Sequence, residues 1–371
     1  MKWVFWVSLA LIVYPYAGYP LWLWLRSLWR ERPVQRAAST PSVSILMVVH
    51  NEERLLPAKL ENLKAVEYPG GQKEIVVVSD GSSDATERIL VEAAERNDVR
   101  AILQADHAGK ACGLNAAMGK LSGDIVVFTD VRQKIEPKAL LCLMENFADS
   151  AVGCASGELM LGDPEHGERK QGAGLYWWME KKVRQLESRS GSVVGATGAF
   201  YAVRRSLIQA LPPGAILDDV LGPLEVARQG YRVVLDSAAR AWDDPHLGIE
   251  REFQRKVRTL TGNYQLVQVA PWLLSGKNPL RFEFVSHKLL RLIVPFALAA
   301  LLVSSALLTG LPYRFAFIAQ LGFYGLGALA AIGARLGIIS RAAEAAWAFV
   351  VLNSAALVAF RNFVTRRKAV W

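Results

Sequence analysis

The sequence is poor in cysteine. Cys112, Cys142 and Cys154 are the three it has in 371 residues, and no two form a Cys-x-x-Cys pair. That argues against a disulfide framework and a thiolate zinc site, and leaves three free thiols of cytosolic character. The glycine signatures of phosphate binding are missing too. No Gly-x-Gly-x-x-Gly follows the first apolar run, which disfavours a dinucleotide site. No Gly-x-x-x-x-Gly-Lys-Ser/Thr occurs, so there is no P-loop. Internal repeats and low-complexity tracts are absent. The net charge of +9 gathers beside apolar runs, which points to a membrane surface and away from nucleic acid.

Charge itself is missing from both ends. Residues 3–25 hold none, are rich in Trp and Tyr, and are long enough to span a bilayer core. The run is too long for a cleaved leader. Arg26, Arg30, Arg32 and Arg36 follow it, so the positive-inside rule puts the middle of the chain in the cytoplasm. Residues 292–311 and 315–334 read as two more spans. Residues 345–360 form a fourth, shorter apolar stretch. Four crossings would place Arg361, Arg366, Arg367 and Lys368 outside, against the same rule, and the path of this last stretch stays open.

The middle of the chain has ordinary soluble character. The continuous apolar run at 42–49 reads as a strand buried on both faces, 75–78 as a second buried strand, and 99–104 and 124–129 as a third and a fourth strand. Helical patterns lie between them, at 55–63, at 84–96 with Asp84 near its N-cap, and at 110–121. The alternation predicts an α/β fold with a mostly parallel sheet and helices on both faces. Ligands of such sheets sit beyond the carboxyl ends of the strands. Three of those ends carry polar groups: His50-Asn51-Glu52, then Asp80 with Gly81, then Asp130. A carboxylate there can accept hydrogen bonds from a nucleobase or ribose, and Gly81 allows close backbone approach. Asp-Gly-Ser-Ser is equally good turn chemistry.

Taken together, the motifs resemble those of the family 2 glycosyltransferases, over about residues 43–265. "ILMVVHNEE" resembles the family's first strand and Asn-Glu turn, and "SDGSSD" its Asp-Asp-Gly-Ser-x-Asp element. "GKACGLNAAM" resembles the Gly-Lys-x-x-x-Leu-Asn helix start, and "GDIVVFTD" the strand leading to Asp-x-Asp. "ILDDVLGPLEVARQGYRV" resembles the Glu-Asp segment before Gly-Tyr-Arg-Val. The resemblance implies a GT-A α/β domain at 37–268, in the cytoplasm. Around it lie an anchor and basic linker at 1–36, an interfacial segment at 269–290 and a C-terminal transmembrane region at 291–371.

It also implies roles. Asn51, Glu52, Asp80, Lys110, Asn115, Asp130 and Arg258 would bind a nucleotide-sugar donor, with UDP as the nucleotide. Asp130 would organise Mg²⁺ or Mn²⁺ on the diphosphate, but Arg132 stands where the second Asp of the metal motif belongs. Arg132 would then touch phosphate or turn to another part of the protein. Asp219 would be the general base, with Asp218 raising its proton affinity; both also suit a helix N-cap. Gly198, Phe200, Tyr201, Trp177 and Trp178 would face the acceptor, with core packing as the alternative for the aromatic residues and lipid contact as a further one for Trp177 and Trp178. Arg255 and Lys256 read as membrane-facing. Asp243, Asp244 and His246 are either loop residues or further ligands. Thr259 replaces a Trp that in processive synthases stacks on the growing chain, which weakens a processive reading.

The expectation is an inverting transfer of a sugar to a lipid-linked or growing glycan acceptor at the bacterial inner membrane. Membrane lipid is a partner and a homo-oligomer stays open. A processive synthase and a catalytically inactive nucleotide-sugar scaffold are the competing readings.

Overall fold

The structure, a computed structural model, describes residues 1–164, 167–168, 174–243, 249–336 and 340–365. The first strand, β1 (Val43–Val49), is buried at every position and lies between β2 (Lys73–Asp80) and β4 (Ile125–Thr129), parallel to both. Leu46 is the partner of Val76 on one side and of Phe128 on the other. β3 (Arg100–Gln104) extends the parallel set beside β2. This is why 42–49 is continuously apolar: a central parallel strand has no wet face.

Helices cover both faces. Ile45, Met47 and Val49 pack with Leu56, Leu60 and Leu63 of α2 (Leu56–Ala65), Leu90 of α3 (Thr86–Glu95) and Leu140 of α5 (Ala139–Glu145). Leu46 and Val48 point the other way, onto Leu114 of α4 (Lys110–Met118) and Val226 of α7 (Asp218–Arg228). Each such side chain contributes about 1.5–3 kcal/mol by leaving water.

The sheet is parallel only in its first half. Its order is β3-β2-β1-β4-β8-β6-β9-β5, with β8 (Phe200–Arg204) antiparallel to both β4 and β6 (Val152–Asp163). β9 (Arg232–Asp243) runs parallel to β6, the two-residue β5 (Lys134–Ile135) closes the edge, and β7 (Gly167–Glu168) pairs with β6. Apolar pattern does not encode strand direction, so the reversal at β8 was not readable from composition.

Among the described residues four helices are long and apolar enough to cross a membrane: α1 (Lys2–Trp29), α9 (Arg281–Leu307), and stretches Leu311–Gly333 of α10 (Leu311–Leu336) and Ala342–Val364 of α11 (Arg341–Val364). The fourth is longer than the apolar stretch at 345–360 suggests, because Ser340 caps it and its polar ends continue the helix. Arg366, Arg367 and Lys368 lie outside the described residues. The segment read as interfacial is divided: Pro271–Leu274 is a short turn, whereas Arg281 onward runs unbroken into α9 through a π-helical turn at Val285–Leu289. α6 (Gly174–Ser190) lies on α1, and α8 (Ile249–Val269) packs Val257 against Ala355 and Ala359 of α11.

Candidate active site

The site grows from the carboxyl edge of the parallel strands. β2 ends on Asp80, which is fully buried. Its Oδ1 accepts the Ala108 N–H at 2.8 Å and its Oδ2 the Gly109 N–H at 2.8 Å. The His107 Nδ1 lies 2.9 Å from Oδ2. Gly81 sits at φ 62°, and a Cβ there would stand 2.4 Å from the His107 nitrogen. Asp80 and Gly81 therefore hold the 106–109 loop tight against the strand end. That loop opens α4, and the first residue of α4 is Lys110.

Lys110 is the hub. Its Nζ lies 2.9 Å from Asp130 Oδ1, just beyond β4, and 3.1 Å from Asp218 Oδ2, at the start of α7. Burial alone would lower its pKa; the Asp130 and Asp218 carboxylates outweigh burial and raise it. Next to Asp218, Asp219 Oδ2 accepts the Gly198 N–H at 3.1 Å, and its carbonyl accepts the Ala196 N–H at 2.7 Å. Burial pushes the Asp219 carboxyl up to about 6; the Asp218 charge adds to the rise and Lys110 opposes it. A Cβ on Gly198 would lie 3.2 Å from Asp219 Oδ2 and 3.5 Å from Asp130 Oδ2. Glycine keeps the space between the two carboxylates open.

Other candidates fall around this centre or away from it. Arg258 is near: burial lowers its pKa against the pull of Asp218, Asp130 and Asp219. Glu52 is near Asp130 as well; burial raises its pKa and Arg132 opposes. Asn51, at φ 54°, accepts the Ser83 N–H through Oδ1 at 2.7 Å and so ties the β1 turn to the β2 turn. Asn115 is turned from the centre. Its Nδ2 donates to the Leu211 carbonyl at 2.8 Å and its Oδ1 accepts the Leu211 N–H at 2.9 Å, which spends both ends of the amide on the backbone.

Three acceptor-side expectations need correction. The Phe200 ring is in the core, and Tyr201 is stacked on Phe128 at 4.7 Å between ring centres. Alternation along β8 buries both, since this strand is interior to the sheet. Trp178 is 57 % exposed, on the outer side of α6. Its neighbour Trp177 lines a cavity of about 170 Å³ together with Asp219, Glu158, Glu180, Lys181 and Arg184.

Arg132 turns to another part of the protein: its guanidinium pairs with Asp243 at the end of β9, where Arg255 also lies, 3.3 Å from the same oxygen. Arg255, read as membrane-facing, is thus bound inside the domain, and it also bonds Glu252 at 2.5 Å. Asp244 and His246 lie outside the described residues.

Two groups went unnoticed in the sequence. Lys59 is buried beneath the β4 end, where its Nζ donates to Thr129 Oγ1 at 3.0 Å and to the Gln133 carbonyl at 2.6 Å. Burial pushes its pKa down to about 7, against Asp130. The signal was a lone lysine on the Leu56–Leu60–Leu63 face of α2. The second group is His287, held between Glu187 (2.8 Å) and Glu180 (3.0 Å). Arg291 donates to Glu180 at 2.6 Å and Tyr19 to Glu187 at 2.6 Å. These partners are 100 or more residues apart wherever α6 meets α1 or α9, and no local spacing announces them.

Among the described residues no three His, Cys, Asp or Glu side chains are grouped to hold a metal. Asp130, with 40 % of its side chain exposed, still suits a cation carried on a diphosphate, because Mg²⁺-type ions take only one or two protein carboxylates there.

A mixed sheet of this order, with its acidic cluster at the carboxyl edge of the parallel half, is the GT-A fold of nucleotide-sugar transferases. The whole chain superposes on a solved mannosyltransferase, PcManGT from Pyrobaculum calidifontis in complex with GDP-Man and Mn²⁺. The TM-score is 0.72 at 23% identity, covering 98% of this chain and 99% of that one. The model of "Glycosyl transferase family 2" matches residues 44–211, and the chain carries a domain of that family. Relatives include poly-beta-1,6-N-acetyl-D-glucosamine synthase of Staphylococcus aureus (strain COL), 22% identical over 241 residues. Another is the probable glycosyltransferase YdaM of Bacillus subtilis (strain 168), 26% identical over 251 residues. Each match takes in 64% of this chain but only 58% of the relative's length.

Proposed function

We propose that the protein is an inverting glycosyltransferase, set in the membrane with its GT-A domain on the cytoplasmic side. It moves a sugar from a nucleotide donor, with UDP as the first nucleotide to try, to a lipid-linked or growing glycan acceptor. One observation carries the reading: Lys110 joins Asp130 of the donor-side strand to Asp218, directly beside the buried, high-pKa Asp219. Transfer needs a neutralised diphosphate, a deprotonated hydroxyl and the two in line. Lys110 and Arg258 supply positive charge where the diphosphate would lie. Asp219 takes the acceptor proton, and Asp218 sets its affinity for that proton. A divalent cation on the diphosphate, when bound, would add charge neutralisation, with Asp130 as its protein ligand. Arg132, spent on Asp243, gives the cation no second carboxylate.

The test is to supply membranes holding the protein with labelled nucleotide sugars, with and without EDTA. Label entering the lipid extract from one donor is the expected result, and loss with EDTA assigns the cation. No transfer from any donor, with UDP binding intact, would select the scaffold reading instead. The relationship to the S. aureus synthase keeps a processive polymerase as the second reading, and long polymer from purified protein alone would select it.

A further inference from the structure

The cavity beside Asp219 has features the donor chemistry does not use. At about 170 Å³ it is of the order of one monosaccharide, and could otherwise hold roughly five or six waters. One wall is the Trp177 indole, whose Nε1 is buried and has no hydrogen-bond partner among the described residues. A buried indole N–H without an acceptor is costly unless a ligand supplies one. Ala196, Thr197 and Asp219 also line the cavity. The cavity's cations are already committed. Arg184 donates to Ser156 Oγ at 2.9 Å, and Lys181 lies 4.0 Å from Glu158 and 3.4 Å from the Met160 sulfur. Its third carboxylate besides Glu158 and Asp219 is Glu180, bound by His287 and Arg291. No open cationic clamp remains for a phosphate.

Resting on the glycosyltransferase reading, we infer that this cavity is the acceptor subsite and takes one uncharged sugar ring. The ring lies against Trp177 with one hydroxyl turned to Asp219, and the acceptor group is that hydroxyl and not the phosphate of a lipid phosphate. In the transfer, the acceptor oxygen bonds to the anomeric carbon and its proton passes to an Asp219 oxygen. The bond from the anomeric carbon to the diphosphate breaks, and the nucleoside diphosphate leaves with the electron pair. A phosphate nucleophile is already ionised, so it would leave a buried base at that position without a task.

The experiment uses the full chain in lipid nanodiscs with the donor found above. Two acceptors are compared, an alkyl glycoside and a polyprenyl phosphate, for wild type, Trp177→Ala, Trp177→Phe and Trp178→Ala. Nucleoside diphosphate binding by each variant reports that the domain is folded. Wild type is expected to glycosylate the alkyl glycoside and not the phosphate. Trp177→Ala raises KM for the glycoside about tenfold, which corresponds to about 1.4 kcal/mol. Trp177→Phe raises it less, and Trp178→Ala leaves it in place. Transfer to the polyprenyl phosphate alone overturns the inference. So does an unchanged glycoside KM in a folded Trp177→Ala, or an equal rise in Trp178→Ala. If wild type turns over no donor at all, the underlying reading falls, and that outcome is distinct from a misassigned subsite.

Discussion

The two halves of the sheet are built on different principles. The parallel half, β1 to β4, is made of short apolar strands that each end in a polar turn, and its polar turns are stitched to one another. The mixed half sets the short β8 beside the 12-residue β6 and β9, whose pairing carries bulges between Val152 and Cys154 and between Ser156 and Glu158. The first half supplies Asp80, Asp130 and Lys110; the second supplies Gly198 and the α7 start with Asp218 and Asp219. The residues proposed for the donor thus come from local strand–turn–helix units, and those proposed for the acceptor from segments that meet only in the folded sheet. Lys110 crosses the boundary, since its two carboxylate partners belong to different halves.

Substitutions can separate the halves. The largest effect is expected from Asp219→Asn, which removes the base: kcat should fall about 100- to 10,000-fold, while the affinity for nucleoside diphosphate, read by calorimetry, stays within the donor half's control. Equal loss of both would erase the division. Lys110→Met should fail on both sides at once. It leaves Asp218 buried without its cation, at a cost of about 3–5 kcal/mol in unfolding experiments, and nucleotide affinity falls with it. Lys59→Met should touch only the donor half. The Gln133 carbonyl loses its donor, at roughly 1–3 kcal/mol, and KM for the donor rises more than KM for the acceptor. The smallest effect is a pH shift. A base must be ionised, so kcat in the wild type should climb as pH rises through about 6. Asp218→Asn removes a like charge, lowers the proton affinity of Asp219, and should move that rise to lower pH.

The same contrast explains what could be read in advance. β1, β2 and β4 were legible because a strand buried on both faces leaves no choice of residue, and Asp80 and Asp130 stand at their ends. The motif that singled out Asp219 falls at the start of α7, where the structure sets it beside Asp218 and Gly198. Asn115 and Trp178 were misassigned for one reason: a motif gives a residue's place in the chain, whereas the direction of its side chain depends on what packs behind it. Leu211 lies behind Asn115, 96 residues away. Tyr201 was drawn into the core because β8 turned out to be an interior strand. Lys59 was visible as an oddity on an apolar helix face, but its partners Thr129 and Gln133 were not.

Glu180 belongs to two structures at once. It forms part of the cavity wall next to Asp219, and through His287 and Arg291 it is bolted to a helix long enough to cross the bilayer. On the membrane-set reading proposed above, the lipid phase would act as a mechanical component of the aperture. A change in bilayer thickness that tilts α9 would then reach the proposed acceptor subsite through Glu180, which makes the choice of lipid a variable to set in any reconstitution.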